Sequence, residues 1–235
     1  MVPVIGFGIW LGVKSALNHN KLFDQVVRVF AIIGWSFPTF VFALLMLLIF
    51  YARLDWFQPG RLSTEFAQEV IRPGFTQYTR MMTVDSLLNL RFDIFIDALR
   101  HLVMPVVTLM VIDIALMLKI TRSSVLEEMR QDYVTTARAK GLPEKMVVNR
   151  HIRRNALIPV ITVAGLTLAS LMGGVIITET VFDYPGIGSW AAAAAVSLDV
   201  LSMLGYALFT AVILVLGNLI VDVMYALLDP RVRLG

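Results

Sequence analysis

Residues 156–178 read ALIPVITVAGLTLASLMGGVIIT, a run without a single charged side chain. As an α-helix, a run of this length reaches about 35 Å, enough to cross the ~30 Å hydrocarbon core of a bilayer. Lipid offers the backbone no hydrogen-bond partners, so a segment this apolar must satisfy its own N–H and C=O groups, and a helix does that within one strand of chain. Three more stretches read the same way. Residues 30–52 and 200–221 are uncharged, and 102–118 carries one acid, Asp113. The ten-residue alternating segments of a transmembrane barrel are absent.

Composition agrees. Of 235 residues, 58% are hydrophobic and 16% charged, with mean hydropathy +0.78. A soluble domain carries nearer a quarter charged residues and cannot hide this much apolar surface in one core. The expected class is all-α: a polytopic transmembrane helical bundle forming a single domain over 1–235. There is no cysteine, which removes disulfides, thiolate nucleophiles and cysteine metal sites. Residues 1–13, MVPVIGFGIWLGV, have no basic region before them and no small-residue cleavage site, so they do not read as a signal peptide. They read as a partial span, the remainder of a helix whose beginning is missing, which makes about five spanning segments with the first truncated.

The basic residues set an orientation. Residues 14–29 hold Lys14, Lys21 and Arg28; residues 119–155 hold nine Lys and Arg; the tail holds Arg231 and Arg233. Residues 179–199 hold none, and 53–101 hold six Arg balanced by as many acids. The positive-inside rule places the first three regions, and the C-terminus, in the cytoplasm. Within 53–101, DSLLNLRFDIFIDALRHL has apolar residues at helical spacing and is expected to lie along the membrane surface.

The cytoplasmic stretch 119–155 reads as two helices about a sharp turn. Gly141 suits a helix C-terminal cap, Pro143 the first position of the next helix, and Glu144 its first turn. Thr135, Thr136, Ala137 and Gly141 are small, so another protein's groove could approach closely, with Arg138 and Lys140 as flanking charge. A plain basic loop against anionic lipid heads is the competing reading. Nucleic-acid binding is excluded by the tether to the membrane at both ends.

Residues 132–162, DYVTTARAKGLPEKMVVNRHIRRNALIPVIT, resemble the cytoplasmic loop of inner-membrane permease subunits of binding-protein-dependent ABC importers, most closely the oligopeptide, dipeptide and nickel branch. ETVFDYPGIGSW at 179–190 and NLIVDVMYALLDPRVR at 218–233 agree with it, and FPTFVFALLMLLIF at 37–50 and DALRHLVMPVVTL at 97–109 do so more weakly. The general loop pattern begins Glu-Ala-Ala where this chain has Thr135, Thr136 and Ala137, and Pro159 lies further downstream; both features suit the peptide branch. Family members carry a further spanning helix and outer segment ahead of the region seen here.

The resemblance implies a type I importer permease fold and a coupling helix that docks on a separate ATPase, with Thr135, Thr136, Ala137, Arg138, Lys140 and Gly141 at the contact. It implies a homologous second permease subunit, two ATP-binding subunits and an extracytoplasmic solute-binding protein as partners, in the lipid of the cell inner membrane. ATP and Mg would sit on the partner ATPase. This chain contains no GxxxxGK[ST] and no HExxH, so no cofactor, metal or catalytic residue is expected on it.

Outside the loop, Pro185, Gly186 and Gly188 read as a tight turn at an outer gate ahead of Trp190, or as a surface turn with an aromatic anchor. Asp113, Glu179 and Asp222 are the acids at or near membrane depth; Asp113 is a candidate for a pathway role or for pairing with Lys119 or a partner helix. Pro38, Pro105 and Pro159 are placed to kink their helices. The alternative function is an ATP-independent secondary transporter or channel, which calls for paired broken helices and an intramembrane charge constellation.

Overall fold

The structure, a computed structural model, describes residues 1–228, with side chains described as far as Met224. The tail with Arg231 and Arg233 lies outside the described residues. The described residues contain helices and no strand. In chain order these are α1 (Val2–Leu17), α2 (Leu22–Ser36), α3 (Thr39–Arg53), α4 (Thr64–Glu69), α5 (Met82–Leu88), α6 (Phe92–Glu128), α7 (Asp132–Ala139), α8 (Glu144–Met172), α9 (Ile176–Val181), α10 (Ile187–Val196) and α11 (Val200–Leu228). Among the described residues, α6, α8 and α11 are long and apolar enough to cross a membrane, and α2 and α3 are an apolar pair bent by 99° at the break between them, the shape of a broken span or of a re-entrant loop.

Four expectations change. The uncharged run 30–52 is not one helix: α2 stops at Ser36 and α3 begins at Thr39. Pro38 lacks the N–H that would continue the ladder and pushes Phe37 to extended backbone, ψ 124°. The run 156–178 is also divided, because α8 ends at Met172 and Gly174 takes φ +99° before α9 starts. Residues 92–101 do not form a separate surface helix, since α6 runs unbroken from Phe92 through Pro105. The apolar segment expected at 1–13 forms a helix that continues one turn further, to Leu17.

The chain divides into two compact units. One comprises Met1–Phe37, Met110–Gly173 and the chain from Ala207. Here α1 and α2 lie against α6 along a seam of glycines. A Cβ on Gly8 would stand 2.7 Å from the Met117 Cβ, one on Gly12 2.6 Å from the Thr121 Cβ, and one on Gly34 2.9 Å from the Ala115 Cβ. Gly8 and Gly12 are four apart, the small-xxx-small spacing that lets helix backbones meet closely in lipid. A core of Val13, Ala16, Val125, Val134, Val147 and Ile152 joins α1, α6, α7 and α8.

The other unit comprises Pro38–Leu109 and Gly174–Tyr206. Phe182 is 1% exposed and packs with Ala43, Met46 and Met104. A Cβ on Gly188 would meet the Ile176 backbone N at 2.8 Å, so α10 is pressed against the start of α9.

Candidate functional site

The elbow from α7 into α8 is built by backbone geometry first. The Leu142 N–H donates to the Ala137 carbonyl at 3.4 Å and the Gly141 N–H to the Arg138 carbonyl at 2.9 Å. This pair of bonds is a Schellman cap, and it needs the left-handed φ of +72° that Gly141 adopts. Pro143 stands just ahead of α8 with ψ 136°, so it caps the helix rather than opening it as its first residue.

Side chains then lock the elbow in place. Tyr133 hydrogen-bonds Glu128 at the end of α6, accepts from Asn155 Nδ2 at 2.9 Å and stacks obliquely on His151, ring centres 6.5 Å apart. Burial pushes the Tyr133 phenol up from its ordinary range. The Ser124 hydroxyl ties α6 to α8 through the Ala156 carbonyl at 2.8 Å. Residues 147–152 wind as a π-helix, a spacing that turns Val147, Val148 and Ile152 all inward. Arg138 forms a fork with Glu144 across the turn, and that carboxylate raises its pKa further.

The elbow residues singled out above therefore divide. Thr135, Thr136, Arg138, Lys140 and Gly141 are exposed on one rim. Ala137 is 5% exposed and belongs to the core with Val134, so its small size serves α7 packing on this chain rather than an open surface. Arg138 is already engaged by Glu144.

Of the turn residues Pro185, Gly186 and Gly188, Gly186 closes on the carboxylate of Glu179, while Gly188 packs on Ile176. Glu179 accepts from the Val175 N–H at 2.9 Å and the Ser189 N–H at 2.7 Å, and a Cβ on Gly186 would stand 2.6 Å from its carboxyl. Arg61 donates to the Pro185 carbonyl and lies over the Tyr184 ring. The turn leads into α10, whose Trp190 is exposed.

Asp113 is 9% exposed, and its Oδ2 has no hydrogen-bond partner among the described residues. The expected pairing with Lys119 does not form; that ammonium sits over the Trp35 ring at 5.8 Å. Asp24, which carries no signal of its own in the sequence, is by contrast fully engaged: buried, it accepts from Arg122 and from Ser15. Partners 98 residues apart leave no local signal to find them by.

Across residues 5–234 the chain matches the family model described as binding-protein-dependent transport system inner membrane component. The chain belongs to that family. It is 40% identical over 228 residues, 97% of this chain and 66% of the relative, to the di/tripeptide transport system permease protein DppB of Pseudomonas aeruginosa (strain UCBPP-PA14). It is 36% identical over 233 residues, 99% of this chain and 68% of the relative, to the dipeptide transport system permease protein DppB of Escherichia coli (strain K12). Identity to the oligopeptide transport system permease protein AppB of Bacillus subtilis (strain 168) is 35% over 222 residues, 94% of this chain and 63% of that protein. The chain spans about two thirds of the length of the curated relatives it matches. As a member of this family the chain is a multi-pass inner-membrane component, and α6, α8 and α11 are its long apolar helices.

Proposed function

We propose that this chain is the membrane-spanning subunit of an ATP-driven importer of peptides or similar small solutes. It forms half of the pathway with a homologous second permease, receives solute from an extracytoplasmic binding protein, and is driven by two separate ATPase subunits that carry ATP and Mg. The elbow faces the cytoplasm, as does the C-terminus, in keeping with the basic residues around it. Relatives named as dipeptide and oligopeptide permeases support the solute class.

The observation that carries the reading is the rigid, exposed rim of α7. Thr135, Thr136, Lys140 and Gly141 present small or flexible side chains on a helix pinned to α6 and α8 by Tyr133 and by its buried Val134 and Ala137. Push applied to such a rim reaches the long helices instead of being absorbed by a loose loop. Purification from the source membrane in mild detergent should bring down an ATPase, and vesicles holding that complex should take up labelled dipeptide only with ATP and not with vanadate. Uptake that persists without ATP overturns the reading.

One observation favours the secondary-transporter reading, the buried Asp113, whose Oδ2 has no hydrogen-bond partner among the described residues. That reading requires uptake driven by an ion gradient and lost in Asp113→Asn, both measurable in the same vesicles.

A further inference from the structure

Arg122 lies in the last two turns of α6, just before the chain enters α7. Its Nε donates to Asp24 Oδ1 at 2.6 Å and its Nη2 to Asp24 Oδ2 at 2.8 Å, a two-pronged contact. Asp24, on α2, has no exposed side-chain surface. It also accepts from the Ser15 hydroxyl of α1 at 2.5 Å and from the Asn20 N–H of the α1–α2 turn at 3.0 Å. His19 stands beside the pair, its Nδ1 3.3 Å from Arg122 Nη2. One carboxylate thus gathers donors from α1, the turn and α6.

Elsewhere these helices meet through apolar packing: Gly8, Gly12 and Gly34 let the backbones approach, and Val13 and Ala16 with Val125, and Val27 and Ala31 with Leu118, fill the space beside them. Apolar packing resists separation but is non-directional, and packed helices commonly move by shear, a small sliding of one past another. A bidentate ion pair is directional, and burial makes its loss costly. Its placement at the elbow end of α6 puts that resistance where force from the elbow would enter.

Resting on the importer reading above, we infer that the Asp24–Arg122 pair is a positioning joint: it makes α1 and α2 travel with α6 and the elbow, and so sets how much solute moves per ATP hydrolysed. The pair touches neither solute nor nucleotide and acts through the helices it joins.

The test uses the assembled complex in vesicles, with Asp24→Asn, Arg122→Lys and the conservative Asp24→Glu, each read only in complexes shown to hydrolyse ATP. Solute moved per ATP should fall roughly tenfold in Asp24→Asn and Arg122→Lys, within the range expected when a site-to-site coupling is broken, and recover in part with Asp24→Glu, while ATP hydrolysis stays near wild type. Because the chain has no cysteine, spin labels at Arg28→Cys on α2 and Glu127→Cys on α6 give a second readout that leaves the pair intact. Their separation should be the same in nucleotide-free and vanadate-trapped complexes. Unchanged solute per ATP in the two variants, or a label distance that changes with nucleotide state, overturns the joint. If the variants do not assemble, the label distance decides alone. A wild-type chain that captures no ATPase overturns the importer reading itself, and is recognised before any variant is compared.

Discussion

Arg138 reaches across the Gly141 turn to Glu144, with Nη2 2.7 Å from Oε1 and Nε 3.1 Å from Oε2. Both side chains are more than a third exposed, at 38% and 59%, so water screens the pair and its worth is at most about 1 kcal/mol. The turn itself rests on the left-handed backbone of Gly141, where any other residue is strained although nothing lies within 4 Å of an added Cβ. Gly141→Val should therefore cost about 1–2 kcal/mol. Gly141→Asn should cost less, since Asn tolerates that region, and Arg138→Gln least. Thermal unfolding in detergent checks the order; equal losses for all three would show that the cap does not set the turn.

Ala137 and Thr135 are two residues apart and should answer differently. Ala137→Leu forces volume against Val134, Val147 and Ile152 and should lower stability by about 1–3 kcal/mol. Thr135→Trp points outward and should leave unfolding unchanged while reducing capture of the ATPase. Parallel unfolding and pull-down measurements separate the two effects, and a stability loss from Thr135→Trp would contradict this assignment of faces.

Gly12 carries the closest approach of α1 to α6 in the glycine seam, 2.6 Å from an added Cβ to the Thr121 Cβ. Backbone and a β-branched carbon cannot yield cheaply, so Gly12→Leu should drive the helices apart and lower the unfolding temperature. Gly6→Leu, with nothing within 4 Å, is the matched control and should be neutral. Comparable losses at both positions would contradict the seam.

Asp113 is buried and its Oδ2 has no hydrogen-bond partner among the described residues, so removing its charge should not weaken the fold. Asp113→Asn is expected to unfold at or above the wild-type temperature. A clear drop would mean that the carboxylate is held by a bond the structure does not show.

The long apolar helices were legible because lipid compatibility is written into uncharged runs such as 200–221, which α11 contains. Continuity was not. Hydropathy is indifferent to whether Phe37–Pro38 or Gly173–Gly174 interrupts a helix, although Pro38 had been recognised as a site of distortion. The elbow was legible from Gly141 and Pro143, since a left-handed cap and a fixed φ are local properties. The inward face of Ala137 is encoded in its spacing from Val134, whereas small size alone does not separate a packed residue from an accessible one. Asp24 and Arg122 could not be paired from sequence, because their meeting depends on how α2 packs on α6. The Gly8–Gly12 spacing is the local trace that the seam leaves in the sequence.

The most direct measurement is a cross-link from the α7 rim. A single cysteine at Thr135, in a chain with no other, is modified with a photo-reactive group in native membranes and the adduct is identified by mass. The account predicts a cross-link to a nucleotide-hydrolysing protein on the cytoplasmic side. Labelling of that cysteine by a membrane-impermeant reagent from outside the cell, or adducts that never include an ATPase, would contradict it.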